Sequence, residues 1–207
     1  MKHRLPILFV AVCLFLSGCA SSYKSINPQK VPFGFTENTD DVQFSYAYDV
    51  LSLKRNKKYV KKERKHGMRV VAVRITNNTN KALRLNENLK LIVGNNQTVP
   101  VSPSIVAQNI KQGTWIYLLY LPLNFTVGAT TNTNNYGKVE TTGGTTLPTG
   151  PVISLANILV ASSANKNFRE DLQQFNLLDK TIEPGQTVYG LITLHSLTSD
   201  PIKFKVE

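Results

Sequence analysis

The 207-residue chain is 42% hydrophobic and 18% charged, enough apolar material for one packed core and too much for a disordered chain. Two cysteines, both within the first 19 residues, exclude a disulfide-framework fold. Three histidines leave little for a metal centre or a histidine-based active site, and the formal net charge of +11 points toward anionic surroundings.

The N-terminus has the anatomy of an export signal over residues 1–18. Lys2, His3 and Arg4 form a positive start, and residues 7–16 form a ten-residue apolar stretch. That stretch suits a signal-peptide core and is too short for a membrane span, which needs about 20 residues. Leu16-Ser17-Gly18-Cys19 follows, with small residues before a cysteine that diacylglycerol can modify. These four positions resemble the lipobox of bacterial lipoproteins. The resemblance implies a mature chain that starts at Cys19, lipid-anchored with several acyl chains, palmitate among them, and without a thiol. More than one chain is what stable anchoring requires. Without Lys2 and Arg4, 22 basic residues stand against 13 acidic ones, a net charge of +9. Cys19 is followed by Ala20, Ser21 and Ser22 and by no aspartate. This resembles lipoproteins sorted to the outer membrane, and the absence of an acidic cluster that would resemble a surface-export signal favours its periplasmic face.

Residues 19–41 are polar, carry Pro28, Pro32 and Gly34, and show no sustained periodicity. They are expected to form a lipid-anchored tether, with a flexible-coil span of about 25 Å. From residue 42 to 207 a β-sandwich domain is expected. Val42, Phe44, Tyr46, Tyr48 and Val50 alternate at period two, and residues 68–76 repeat the signal. Asn77-Asn78-Thr79-Asn80 reads as a turn, followed by short strands around Leu83 and Leu85, over residues 89–93, and around Val99 and Val101. Pro184-Gly185 makes a late turn before a strand over residues 188–194, and Ile202, Phe204 and Val206 close the chain.

Short strands at hairpin spacing, with no βαβ rhythm, predict a mainly β fold, an antiparallel sandwich. The segments MRVVAVRITNNTNKALRL, IEPGQTVYGLITL and IKFKVE resemble bacterial immunoglobulin-like envelope domains. In those domains a strand ending in Asn-Asn-Thr-like turn residues pairs with a late strand introduced by Pro-Gly-x-x-Val-x-Gly. The resemblance implies an immunoglobulin-like fold and carries no catalytic residues.

Between the two β blocks an insertion of about residues 107–180 must have its own structure. Residues 115–127 are apolar on both phases, 130–150 are Thr/Asn/Gly-rich and read as a mobile loop, and 151–164 are a second apolar run. An amphipathic helix is predicted near 165–179, where Phe168, Leu172, Phe175 and Leu178 recur on one face.

Two features are candidates for function. The first is basic: Lys54, Arg55, Lys57, Lys58, Lys61, Lys62, Arg64 and Lys65, with Arg69 beyond them, opposed only by Glu63. It fits an anionic surface such as lipid headgroups, where each basic residue contributes about 1 kcal/mol. It also fits a solvated strand-loop-strand whose lysines discourage edge pairing. No nucleic-acid partner is expected, because one tyrosine is not a stacking platform. The second is the pair of apolar runs. Trp115, Tyr117, Leu119, Leu121 and Phe125 either form a buried strand or line a surface for a ligand, a partner or the outer leaflet, and the run 152–164 is either a helix on an open face of the sandwich or part of that surface.

An enzyme is not expected. His66 and His195 have no nucleophile arrangement beside them, Asp40-Asp41 reads as a solvated turn rather than a calcium site, and Gly143-Gly144 lacks the residues of a phosphate cradle. Neither a metal nor a cofactor is expected. The expected function is a lipid-anchored, non-enzymatic cell-envelope protein, a structural or interaction module with an envelope protein as partner. The alternative is a periplasmic lipoprotein that binds lipid or a small apolar ligand between insertion and sandwich.

Overall fold

The computed structural model describes residues 19–39, 41–196 and 198–207. Residues 1–18, expected as an export signal and including Leu16, Ser17 and Gly18 of the lipobox-like motif, lie outside the described residues, as does Asp40. The fold is mainly β, and the chain divides into two compact units. The larger comprises Tyr23–Gln112 and Ala164–Glu207, the smaller residues 19–22 and Gly113–Ser163.

The larger unit is built on a four-stranded antiparallel sheet. Strands β1 (Phe35–Thr39) and β2 (Val42–Ala47) pair from Phe35↔Tyr46 to Thr39↔Val42, with Asp41 at φ 61° in the turn. Two short helices, α1 (Val50–Leu53) and α2 (Lys57–Lys65), lead into β3 (Met68–Asn77). Then come β4 (Leu83–Arg84), β5 (Leu89–Val93), β6 (Asn96–Thr98) and α3 (Pro103–Asn109). The smaller unit follows, with a 3-10 turn over Trp115–Tyr120 and strands β7 (Phe125–Val127), β8 (Thr130–Thr133), β9 (Val139–Thr142) and β10 (Thr145–Leu147). Helix α4 (Thr149–Gln174) begins in that unit, and from Ala164 its residues belong to the larger one. Strands β11 (Thr181–Ile182), β12 (Thr187–His195) and β13 (Ile202–Val206) end the chain.

The four-stranded sheet runs β1-β2-β3-β12, and a three-stranded sheet runs β13-β5-β6. Alternation decides what lies between them. Val71, Val73 and Ile75 of β3 join Phe44 of β2 and Leu91 and Phe204 of the other sheet in one core. The opposite phase, Met68, Val70 and Ala72, joins a second core with Tyr59, Val106, Ile110, Phe168 and Leu172 from the helices. The central strand is therefore buried on both faces, which is why it reads as a near-continuous apolar run.

Strand β3 pairs with β12 over nine residues, from Thr187↔Thr76 to His195↔Met68. The two turns noted in the sequence meet at Asn77. Its buried amide donates to Lys81 O (2.7 Å) and Ile182 O (2.9 Å), and its carbonyl oxygen accepts from Thr79 Oγ1 (2.6 Å). Its backbone N–H donates to Gln186 O (3.0 Å), and its backbone carbonyl accepts from Gly185 N (2.7 Å). One residue thus ties the two turns together, its side chain holding the Asn-Asn-Thr turn to Ile182 and its backbone bonding the Pro-Gly turn.

Several expectations are corrected. The segment expected as a tether over residues 19–41 is part of the fold from Tyr23 onward, because Tyr23, Ile26 and Val31 are buried and β1 joins the sheet. Asp171 of α4 holds it, accepting from Tyr23 Oη (2.8 Å), Ser25 Oγ (2.9 Å) and Ile26 N (2.7 Å). Burial, and then the charge of Asp171, push the Tyr23 hydroxyl far above its ordinary pKa. The insertion is narrower than residues 107–180: its flanks belong to the larger unit, where α3 and the last turns of α4 contribute Val106, Ile110, Phe168 and Leu172 to the core. The helix expected near 165–179 starts at Thr149 and ends at Gln174, so Leu178 falls beyond it. Val99 and Val101 are not in a strand, because Val101 N–H donates to Thr193 O (2.7 Å) from outside the ladder between flanking prolines.

Candidate functional site

The basic run is helical, not the strand-loop-strand the sequence also allowed. Lys54 and Arg55 close α1, with Arg55 at φ 57°, and α2 carries Lys57, Lys58, Lys61, Lys62, Arg64 and Lys65. The inner face of α2 is made by Tyr59 and Glu63, four residues apart and both buried. Tyr59 edges against Phe168 and Tyr23. Asn56, just before the helix, exchanges two 2.9 Å hydrogen bonds with the backbone of Lys24. These contacts set the helix against the sheet and leave its cations outward: Arg55, Lys57, Lys61, Arg64 and Lys65 are exposed, and Lys54, Lys58 and Lys62 half-exposed.

Glu63 does not neutralise this face. Its Oε1 accepts from Val70 N–H (2.7 Å) inside the unit. Burial pushes its carboxyl up to about 7, against the pull of the Val70 hydrogen bond. Arg69, on β3, is occupied elsewhere, donating to Asp49 (3.4 Å) and Ser199 Oγ (2.6 Å). Three like-charge pairs stand four apart on α2, Lys57/Lys61, Lys58/Lys62 and Lys61/Lys65, each destabilising by about 0.2–0.5 kcal/mol. Only the last turn, with Lys62, Arg64 and Lys65, gains from the helix dipole. The charges therefore do little for the fold that their packed neighbours Tyr59 and Glu63 do not already do.

In the smaller unit, Cys19 is exposed. Ala20, the next residue, donates its N–H to Asn157 Oδ1 on α4 (2.6 Å). The run 115–127 is not one buried strand: only Phe125–Val127 is strand, and most of the run's side chains are exposed. Trp115–Tyr120 is a 3-10 turn, with Trp115 81% and Leu119 69% exposed. Leu121 and Phe125 are exposed as well, while Tyr117 is buried and so withdrawn from the predicted surface. The turn is held to α4 by Ser154 Oγ, which donates to Tyr117 O (2.8 Å). Close approach at Gly150 completes the seat, since a Cβ there would overlap the carbonyls of Tyr120, Leu121 and Leu123.

Helix α4 buries Ser154 and Ala161 and exposes Val152, Leu155 and Leu159, spaced three and four apart. Its first half is thus apolar on the outward side as well. The Thr/Asn/Gly-rich stretch expected as a loop is a hairpin, β7 with β10 and β8 with β9, exposed throughout. Fifteen of the nineteen exposed large hydrophobic side chains among the described residues lie between Gly113 and Ser163. Across those 51 residues the charged ones are Lys138 and Glu140, which pair with each other at 3.5 Å.

Among the described residues no three His, Cys, Asp or Glu side chains converge to hold a metal ion, and no helix is long and apolar enough to cross a membrane. The aromatic character of Trp115–Tyr120 was legible in the sequence. The outward stripe of α4 was not singled out, although its spacing of three and four was a signal that could have found it. Compared with known proteins, the chain matches no family model, no curated protein and no solved structure.

Proposed function

We propose that the protein is a lipid-anchored cell-envelope module without enzymatic activity, attached through Cys19 at the periplasmic face of the outer membrane. In this reading it holds an immunoglobulin-like β-sandwich there and meets anionic headgroups or an envelope protein through its basic helices. The observation that carries it is the basic face formed by α2 and by Lys54 and Arg55 just before it. Eight cations stand on a surface whose one internal acid, Glu63, is buried. A local field of that kind attracts anions and is not needed for packing. The exposure of Cys19 is compatible with acylation. Two antiparallel sheets sharing one apolar core support the sandwich reading, and the β3–β12 pairing supports the immunoglobulin-like one. A reading as a carrier of apolar ligands is less well supported, because Trp115, Leu119, Leu121 and Phe125 are exposed rather than lining a void.

The test is Cys19→Ser in cells fed labelled palmitate, followed by fractionation. The expected result is loss of label, and release from the membrane once high salt and detergent-free carbonate remove peripheral contacts. A Cys19→Ser protein that keeps the label, or an unlabelled parent protein, would overturn the anchor.

A further inference from the structure

We infer that the near-uncharged surface formed by the Trp115–Tyr120 turn and the outward stripe of α4 seats in the interfacial layer of the bilayer, so that the anchored unit lies on the membrane rather than hanging from it. The inference rests on the proposed acylation of Cys19.

Three observations select lipid as the occupant. The first is proximity. Ala20 N–H is bonded to Asn157 of α4, so an acylated Cys19 would start its chains one residue from a helix whose exposed side chains include Leu155 and Leu159. The second is charge. A 51-residue segment with one mutually paired Lys–Glu couple pays almost no ionic desolvation on entering an apolar layer, whereas the remainder of the chain, strongly basic, would pay heavily. The third is composition. Trp115, Leu119 and Leu121 on a short turn are the aromatic and aliphatic types that settle at the headgroup boundary. The depth is limited. The Thr-rich hairpin and the 3-10 backbone keep polar groups that need water or headgroups, so the contact stops at the interface.

Trp115 is the one tryptophan in the chain, so its emission reports this surface alone. The membrane-extracted protein is reconstituted into neutral phosphatidylcholine vesicles, with and without bromine on the acyl chains; neutral lipid removes any contribution from the basic helices. The expected result is a blue-shifted emission, strongly quenched by the brominated chains and indifferent to salt. A protein that floats with the vesicles while Trp115 emits as an indole in water, unquenched, would overturn the inference. So would unchanged quenching in a Leu119→Glu/Leu155→Glu variant whose circular dichroism matches the parent. A blue shift that grows with protein concentration without vesicles, and no quenching with them, would assign the surface to a second copy instead. Mass spectrometry of Cys19 reads the anchor independently: quenching without acylation would sink the proposed anchor and leave the surface standing.

Discussion

The side-chain amide of Asn165 pairs with the backbone of Gln112 in both directions. Its Oδ1 accepts from Gln112 N–H (2.8 Å) and its Nδ2 donates to Gln112 O (2.9 Å), as a neighbouring strand would. Tyr59 Oη donates to the same Oδ1 at 3.1 Å and accepts from Gln112 Nε2 at 3.3 Å. Gln112 is the last residue before the smaller unit's Gly113–Ser163 segment, and Asn165 is the second after it. The base of a 51-residue excursion is therefore closed by one amide.

Asn165→Ala should remove both bonds to the Gln112 backbone and the one from Tyr59, costing about 1–3 kcal/mol in urea denaturation. Asn165→Asp keeps the acceptor for Gln112 N–H and loses the donor to its carbonyl, so an intermediate loss is expected. Equal stability of all three proteins would show that the clamp is incidental.

Glu63 makes stability fall as pH rises. Its carboxyl holds a proton up to about 7 when folded and releases it near 4.5 when unfolded. Below the unfolded value both states are protonated, and the favourable contribution is full. Between the two values the unfolded chain binds fewer protons, so the contribution is lost through the folded value, about 3 kcal/mol in all. Glu63→Gln retains an acceptor for Val70 N–H and cannot ionise. The stability difference, variant minus parent, should therefore grow from acid to neutral pH and level off above it. A difference constant across that window would mean that Glu63 titrates as an ordinary carboxyl.

The basic face is expected to act without holding the fold together. Changing Lys57, Lys58, Lys61 and Lys62 together to Gln should leave stability equal or higher by a few tenths of a kcal/mol, since like-charge pairs are relieved. The same variant should lose any preference for anionic over neutral vesicles. That preference should weaken in the parent at high salt, where screening shortens to about 3 Å at 1 M. Equal binding of the parent to both vesicle types would leave the cluster as a solvated surface.

Gly190 is the last residue of the Pro-Gly-x-x-Val-x-Gly segment, and Leu177 fills the place where its Cβ would be. Its φ is not in the left-handed region, so the requirement is space rather than backbone freedom. Gly190→Ala should cost about 1–3 kcal/mol through overpacking at the β12 face. Adding Leu177→Ala should recover part of the loss attributable to the clash, read as non-additivity in a double-mutant cycle. Strict additivity would place the cost elsewhere.

The strands β2, β3, β12 and β13 were legible because alternation is a local property: Val42, Phe44 and Tyr46 announce a buried face whatever they meet. The mainly β class followed from their number and from the absence of βαβ spacing. Helix α2 was harder to read, since its inner face is Tyr59 and a buried Glu63, and a charged residue carries no apolar signal. The segment over Tyr23, Ile26 and Val31 reads as a tether because its partners, Asn56 and Asp171, are 32 and 148 positions away from the residues they hold. Nothing local shows that a backbone N–H will find a carboxylate that far along the chain. Trp115 to Phe125 shows the limit most plainly. Apolar composition is the same for a buried strand and for an exposed surface, and only what packs over it decides. The sequence by itself determined that the run is apolar; the tertiary structure decided that Tyr117 is buried, Tyr120 and Leu123 half-buried, and Trp115, Leu119, Leu121 and Phe125 left exposed, because only those first three are packed over.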